Sequence, residues 1–135
     1  MKAPELVIVD SSVWIEAFRV GGEPRWRLAV DGLLAADRAA TCEVVMLEIL
    51  RGAASAGQFE VLLARLRGMH RLTLDGTSER AGLAALKLRA RGQTVPPTDL
   101  LIAAAAQLHG AALLHRDKHL SLAAEALGVP EYQAG

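Results

Sequence analysis

A single cysteine, Cys42, stands among 135 residues. No intramolecular disulfide and no thiolate metal cluster can form, and a reducing compartment is the simplest reading. Aromatic residues are only 4%, too few for the base-stacking sheets of common single-strand RNA binders. Net charge is missing as well, with Lys+Arg 15 against Asp+Glu 15. Taken alone, that balance speaks against a simple basic nucleic-acid-binding module. No run reaches the ~18 apolar residues of a membrane span; the most apolar stretch, 100–114, is broken by Gln107 and His109. The opening residues hold no long apolar signal core before Asp10, so a soluble, cytoplasmic protein is expected. Gly-x-Gly-x-x-Gly and P-loop motifs are absent, which excludes the usual nucleotide cradles. Repeats, low-complexity tracts and linkers are also lacking.

What is present is a core. Hydrophobic residues make up 52% and charged residues 22%, which argues against disorder and for one domain over 1–135. The β-branched run 6–9 reads as a buried strand that meets Asp10-Ser11-Ser12, three good helix-cap residues. A helix follows over about 12–18, stopped by Gly21-Gly22, then another over 24–36 opened by Pro24. A short strand is expected within 39–44 and helices over 43–50 and 58–67. In the latter, Phe59, Leu62, Leu63 and Leu66 form an apolar stripe. Alternation predicts a strand over 71–74, and helical patterning covers 78–91. Thr98 is the expected N-cap of a mostly apolar helix over 99–108. A buried strand at 111–114, a helix at 118–127 closed by Gly128, and an edge strand within 129–133 complete the chain. Alternating strands and helices predict a three-layer α/β fold with a short, mostly parallel central sheet flanked by helices.

Open α/β sheets build sites at the carboxyl ends of their strands. Asp10 and Asp117 take that position, and Asp99 opens a helix that can face the same edge. Glu48 sits within a helix on a partly apolar face, where a carboxylate is costly unless compensated. Each acid has a plain structural alternative: Asp10, Asp99 and Asp117 as helix caps, Glu48 as a surface partner of Arg51. Together, carboxylates at one sheet edge repel and require a cation. An oxygen-only ligand set suits Mg²⁺ or Mn²⁺ rather than zinc.

Four blocks in order resemble the PIN-domain nucleases, specifically the VapC-type toxins of toxin–antitoxin pairs. They are Val7-Ile8-Val9-Asp10-Ser11-Ser12-Val13-Trp14-Ile15-Glu16, Met46-Leu47-Glu48-Ile49-Leu50-Arg51-Gly52, Pro97-Thr98-Asp99-Leu100 with its alanine-rich continuation, and Leu113-Leu114-His115-Arg116-Asp117-Lys118-His119-Leu120. The resemblance spans essentially the whole chain. It departs from the usual pattern at His115, where Thr is commoner, and at His119-Leu120, where Asp-Phe is commoner. If a further acid at that place supports a second metal, that metal is expected to bind weakly here. His119 then stands as a nitrogen ligand, a phosphate contact or a partly exposed helix residue.

The resemblance implies a PIN-like fold and a metal-dependent ribonuclease acting on single-stranded or looped RNA. Asp10, Glu48, Asp99 and Asp117 would hold Mg²⁺ or Mn²⁺, and Ser12 would orient an acid or cap the helix. It also implies a homodimer and a VapB-type antitoxin that covers the site in a toxin–antitoxin hetero-oligomer. Trp14, Phe18 and Trp26 are candidate anchors for that partner, or core residues. Arg116 is the leading candidate for a phosphate contact. Arg65, Arg67, Arg71, Arg80, Lys87, Arg89 and Arg91 face only Asp75 and Glu79 in the same segment, a candidate RNA surface. Two other readings remain open: a catalytically silent PIN-like RNA-binding module, and an aspartyl-nucleophile phosphatase using Asp10. The zero net charge is compatible with RNA. Setting aside the four site acids leaves eleven acids against fifteen bases, a basic body around an acidic pocket.

Overall fold

The computed structural model describes residues 5–135. The opening segment read as free of a signal core therefore lies partly, at 1–4, outside the described residues. The order is β1 (Val7–Val9), α1 (Ser11–Phe18), α2 (Pro24–Ala35), β2 (Ala39–Thr41), α3 (Glu43–Leu50), α4 (Ala56–Arg67), β3 (His70–Arg71), α5 (Thr77–Ala90), α6 (Pro97–His109), β4 (Ala112–Leu114) and α7 (Lys118–Leu127). The four strands form one sheet in the order β3-β2-β1-β4. Every pairing is parallel, with Ile8 opposite Ala40 on one side and Leu113 on the other. The expected "mostly parallel" sheet is thus wholly parallel among the described residues.

Burial explains the strand sequences. Val7, Ile8 and Val9 are 0% exposed, because helices cover both faces of a parallel sheet and leave no polar side to the strand. The alanines of α6, Ala103 to Ala106, are likewise fully buried. Small side chains there let α6 approach β4, α5 and α7 closely. Between α1 and α2 the turn is equally tight. A Cβ on Gly22 would collide with the Glu16 carbonyl oxygen, so only glycine fits.

Several boundaries differ from the sequence expectation. The strand expected at 71–74 is instead His70–Arg71. The Leu72 N–H still donates to the Thr41 carbonyl, but Thr73 Oγ1 then accepts from the Asp75 N–H and bends the chain away. The strand within 39–44 ends at Thr41, since Cys42 is already the N-cap of α3. Thr98 is not a cap. Pro96 holds that place and Pro97 is the first helical residue, its fixed φ and missing N–H suiting the start of a helix. Asp99 is therefore in the first turn and does not cap. The tail within 129–133 forms one bridge rather than a strand: Leu113 pairs with Glu131, flanked by Leu113 N–H to Pro130 O and Tyr132 N–H to Leu113 O.

Candidate metal centre

Topology places the site. From β1 the chain steps outward to β2 and β3, then returns to add β4 on the other flank of β1. The order reverses between β1 and β4, and ligands of open α/β sheets bind outside the carboxyl ends at such a reversal. Asp10 leaves β1 there and Asp117 follows β4. The Asp10 N–H is tied to Leu114 O at 3.0 Å, so the two strand ends hold one geometry.

Asp10 and Asp117 are both N-caps, as the structural alternative expected, yet capping does not exhaust them. Asp10 Oδ2 accepts from the Ser12 N–H at 3.1 Å and the Ser12 hydroxyl at 2.6 Å. Asp117 Oδ1 accepts from the His119 N–H at 2.8 Å. Asp99 is only 8% exposed. Glu48 accepts from Ser11 Oγ at 3.4 Å through Oε2, while its Oε1 is buried without a hydrogen-bond partner. Asp99, Asp117 and His119 each offer a ligand atom within 4.8 Å of the others. His119 is therefore placed with two of the four expected acids, whereas Asp10 and Glu48 do not join that group.

The acids act on one another. Burial, then the charges of Asp117 and Asp10, push the Asp99 carboxyl up to about 6. Burial, then Asp10 and Asp99, raise Glu48 as well. Like charges gathered in a partly dry site favour the protonated forms, and a divalent cation relieves that repulsion. The unpartnered Glu48 Oε1 and the coupled carboxylates fit a hard cation with oxygen ligands, and His119 adds a nitrogen.

Arg116 is partly spoken for. Its Nη1 donates to Glu16 Oε2 at 3.2 Å and its guanidinium lies 5.3 Å from the Trp26 ring centroid. Its N–H donates to Ser12 Oγ at 3.0 Å. Glu16, which the sequence did not single out as a site residue, is 6% exposed. It also takes Arg19 Nη2 at 2.8 Å and the Glu23 N–H at 3.3 Å. The Arg19 hydrogen bond is the main reason its carboxyl lies below the usual range. A contact 100 positions apart leaves no local signature, although a lone acid on an apolar helix was a clue. The pair of His115 Nε2 and Glu131 Oε1, 2.8 Å apart, is equally invisible in sequence. It holds Glu131 low and pins the tail beside the site.

Trp14 and Trp26 are 2% and 8% exposed, which favours the core alternative, although Trp14 also contributes to the wall of an apolar groove. Phe18 is half-buried, stacked on Trp14 at 5.0 Å and flanked by Arg27 and Arg65. The basic segment is spread over α4, β3 and α5, and several of its side chains already have partners. Arg71 pairs with Glu43, Arg80 with Gln107, Arg91 with Glu125, and Lys87 reaches Ala126 O. These partners lie on different elements. An apolar groove of about 200 Å³ does run beside the site, between α1, α3 and α4, lined by Trp14, Ile15, Phe18, Ile49 and Leu62 with Glu48 at its edge.

A wholly parallel three-layer fold with a carboxylate cluster at its switch point defines an α/β domain with a candidate cation site. A family model described as PIN domain matches residues 7–126. Ribonuclease VapC11 of Mycobacterium tuberculosis is 36% identical over 117 residues, covering 83% of this chain and 87% of the relative. Ribonuclease VapC18 of the same organism is 34% identical over 131 residues and 90% of each chain. The chain belongs to the PIN domain family and, within it, to the VapC group. Solved structures share the fold: VapBC2 from Rickettsia felis bound to a promoter DNA fragment (TM-score 0.76, 15% identity, 94% and 97% coverage) and VapBC-1 from nontypeable Haemophilus influenzae (0.75, 16%, 95% and 96%). Among the described residues, no helix is long and apolar enough to cross a membrane.

Proposed function

We propose that this chain is a metal-dependent endoribonuclease, the toxin of a toxin–antitoxin pair, folded as one nuclease domain over 1–135 and acting in the cytoplasm. One observation carries the reading: Asp99 is crowded by the charges of Asp117 and Asp10, Glu48 by those of Asp10 and Asp99, and Glu48 keeps a buried oxygen with no partner. The names of the relatives, VapC ribonucleases, support RNA as the substrate.

Asp10, Glu48, Asp99 and Asp117 would hold Mg²⁺ or Mn²⁺, with His119 as an added donor. When bound, the metal supplies charge stabilisation for the phosphate and an acidified water. The chain's own residues prepare the place. Ser12 fixes the Asp10 carboxylate, and through the Arg116 N–H it joins the ends of β1 and β4. Arg116 stands 38% exposed at the side chain, so its guanidinium can turn from Glu16 toward an RNA phosphate.

The partners follow the same reading. Neighbouring structures titled as toxin–antitoxin complexes support a VapB-type antitoxin. The apolar groove that ends at Glu48 is the surface for its segment, because an occupant there also covers the acid. A homodimer within a larger hetero-oligomer completes the assembly.

The test uses the purified chain on single-stranded RNA with Mg²⁺ or Mn²⁺. Cleavage should stop with EDTA and with Asp10→Ala or Asp99→Ala in folded protein. Wild-type cleavage by an Asp10→Ala/Asp99→Ala double variant would overturn the assignment.

A further inference from the structure

A second cavity, of about 240 Å³, opens between the start of α7 and the C-terminal tail, and it shares Asp117 with the metal centre. Arg116, Lys118, Ser121, Glu131, Tyr132 and Gln133 are among its other lining residues. Its size is just below the ~300–1,000 Å³ of drug-sized ligand sites, the scale of one ring system. We propose that this cavity is a nucleobase subsite, seating the base of the nucleotide beside the scissile phosphate, with Glu131 and Gln133 as the groups that read it. The proposal rests on the ribonuclease reading above and adds a specificity site to it.

Three observations support it. First, position: a residue common to both sites, Asp117, places the cavity beside the proposed metal site. Second, the tail is extended where Leu113 pairs with Glu131. The residues that follow it, through Ala134, line the cavity together with Glu131. The tail is fastened by backbone bonds to Leu113 on both sides of Glu131, and by His115, so that wall is built in advance. Third, charge: a carboxylate inside the cavity repels a bare phosphate but accepts from the amino and imino groups on a base's Watson–Crick edge. Splayed single-stranded bases are read by hydrogen bonds on that edge. Lys118 makes no ion pair among the described residues, which leaves a positive charge beside the cavity for the sugar–phosphate.

The test is a ¹⁵N-labelled titration of the full chain by NMR with each nucleoside 5′-monophosphate and, separately, inorganic phosphate. The expected result is saturable shifts of the Ser121, Tyr132 and Gln133 amides that differ among the bases, with affinity about tenfold weaker in Gln133→Ala. The same spectra report whether that variant keeps its fold. No response, or an equal response to inorganic phosphate, overturns the subsite. RNA cleavage measured in parallel separates the two readings. Base-dependent shifts without any metal-dependent cleavage sink the ribonuclease assignment and leave the subsite standing. Cleavage whose base preference is unchanged by Gln133→Ala, with silent amides, removes the subsite alone.

Discussion

The Ser12 hydroxyl donates to Asp10 Oδ2 at 2.6 Å, and the oxygen that makes this bond also accepts the Arg116 N–H at 3.0 Å. One side chain thereby couples an acid after β1 to the loop after β4. Replacing it with Ser12→Ala should leave a folded protein, destabilised by about 1 kcal/mol. Cleavage should fall about 10–100-fold, the usual cost of losing a group that orients a metal ligand. Chemical denaturation beside an RNA-cleavage assay checks both, and Ser12→Thr should restore most of the activity.

Asp99 predicts a trade between stability and function. Asp99→Asn removes a buried carboxyl crowded by Asp117 and Asp10. The metal-free variant should be more stable than wild type at pH 8 yet inactive. Thermal melts in EDTA test the first half, and a variant less stable than wild type there would contradict it.

The same residue sets a pH dependence. Its carboxyl titrates at about 6 in the folded chain against an ordinary 3.8. Between those values the native state retains a proton that the unfolded chain has lost. Stability of the metal-free protein is therefore full below about pH 4 and falls as pH rises through 6, by up to about 3 kcal/mol. Urea unfolding across pH 4–8 should show the decline, flattened in Asp99→Asn.

Divalent metal should reverse that loss. At about 100 times its dissociation constant, a ligand of the native state adds ~2.7 kcal/mol. Mg²⁺ or Mn²⁺ should raise the melting temperature by several degrees at pH 8 and by less at pH 5, where Asp99 is protonated. Chelation should return the original value.

His119 discriminates between the two ions. Imidazole suits Mn²⁺ better than Mg²⁺, which keeps to oxygen. His119→Ala should weaken Mn²⁺ binding several-fold and change Mg²⁺ binding little. Calorimetric titration of each metal reads the difference, and equal losses would place His119 outside the donor set.

Much of this architecture was readable from the chain itself. The β-branched run ending at Asp10 and the cap-to-glycine span 118–128 are local patterns, and local physics determines them. Asp10, Glu48, Asp99 and Asp117 stood out only as a set, since each alone has a structural alternative and Asp10 and Asp117 do cap helices. The rest depends on distance in sequence. Whether Trp26 is core or surface, and which cation meets Glu16, is decided by elements far apart in the chain. Pro97 against Thr98 was a contest between two starting signals, and the fixed φ of proline won it. The partners of Arg71, Arg80 and Arg91 likewise come from elements far along the chain.

The sheet has a further consequence at its flanks. β3 offers only two residues at one border, and at the other the tail occupies Leu113 through the Pro130 and Tyr132 backbone. Neither border presents a long row of unpaired amides that a neighbouring molecule could extend. Self-association must use helical faces instead. The protein is thus protected against runaway strand stacking, even when it is made in excess of any partner.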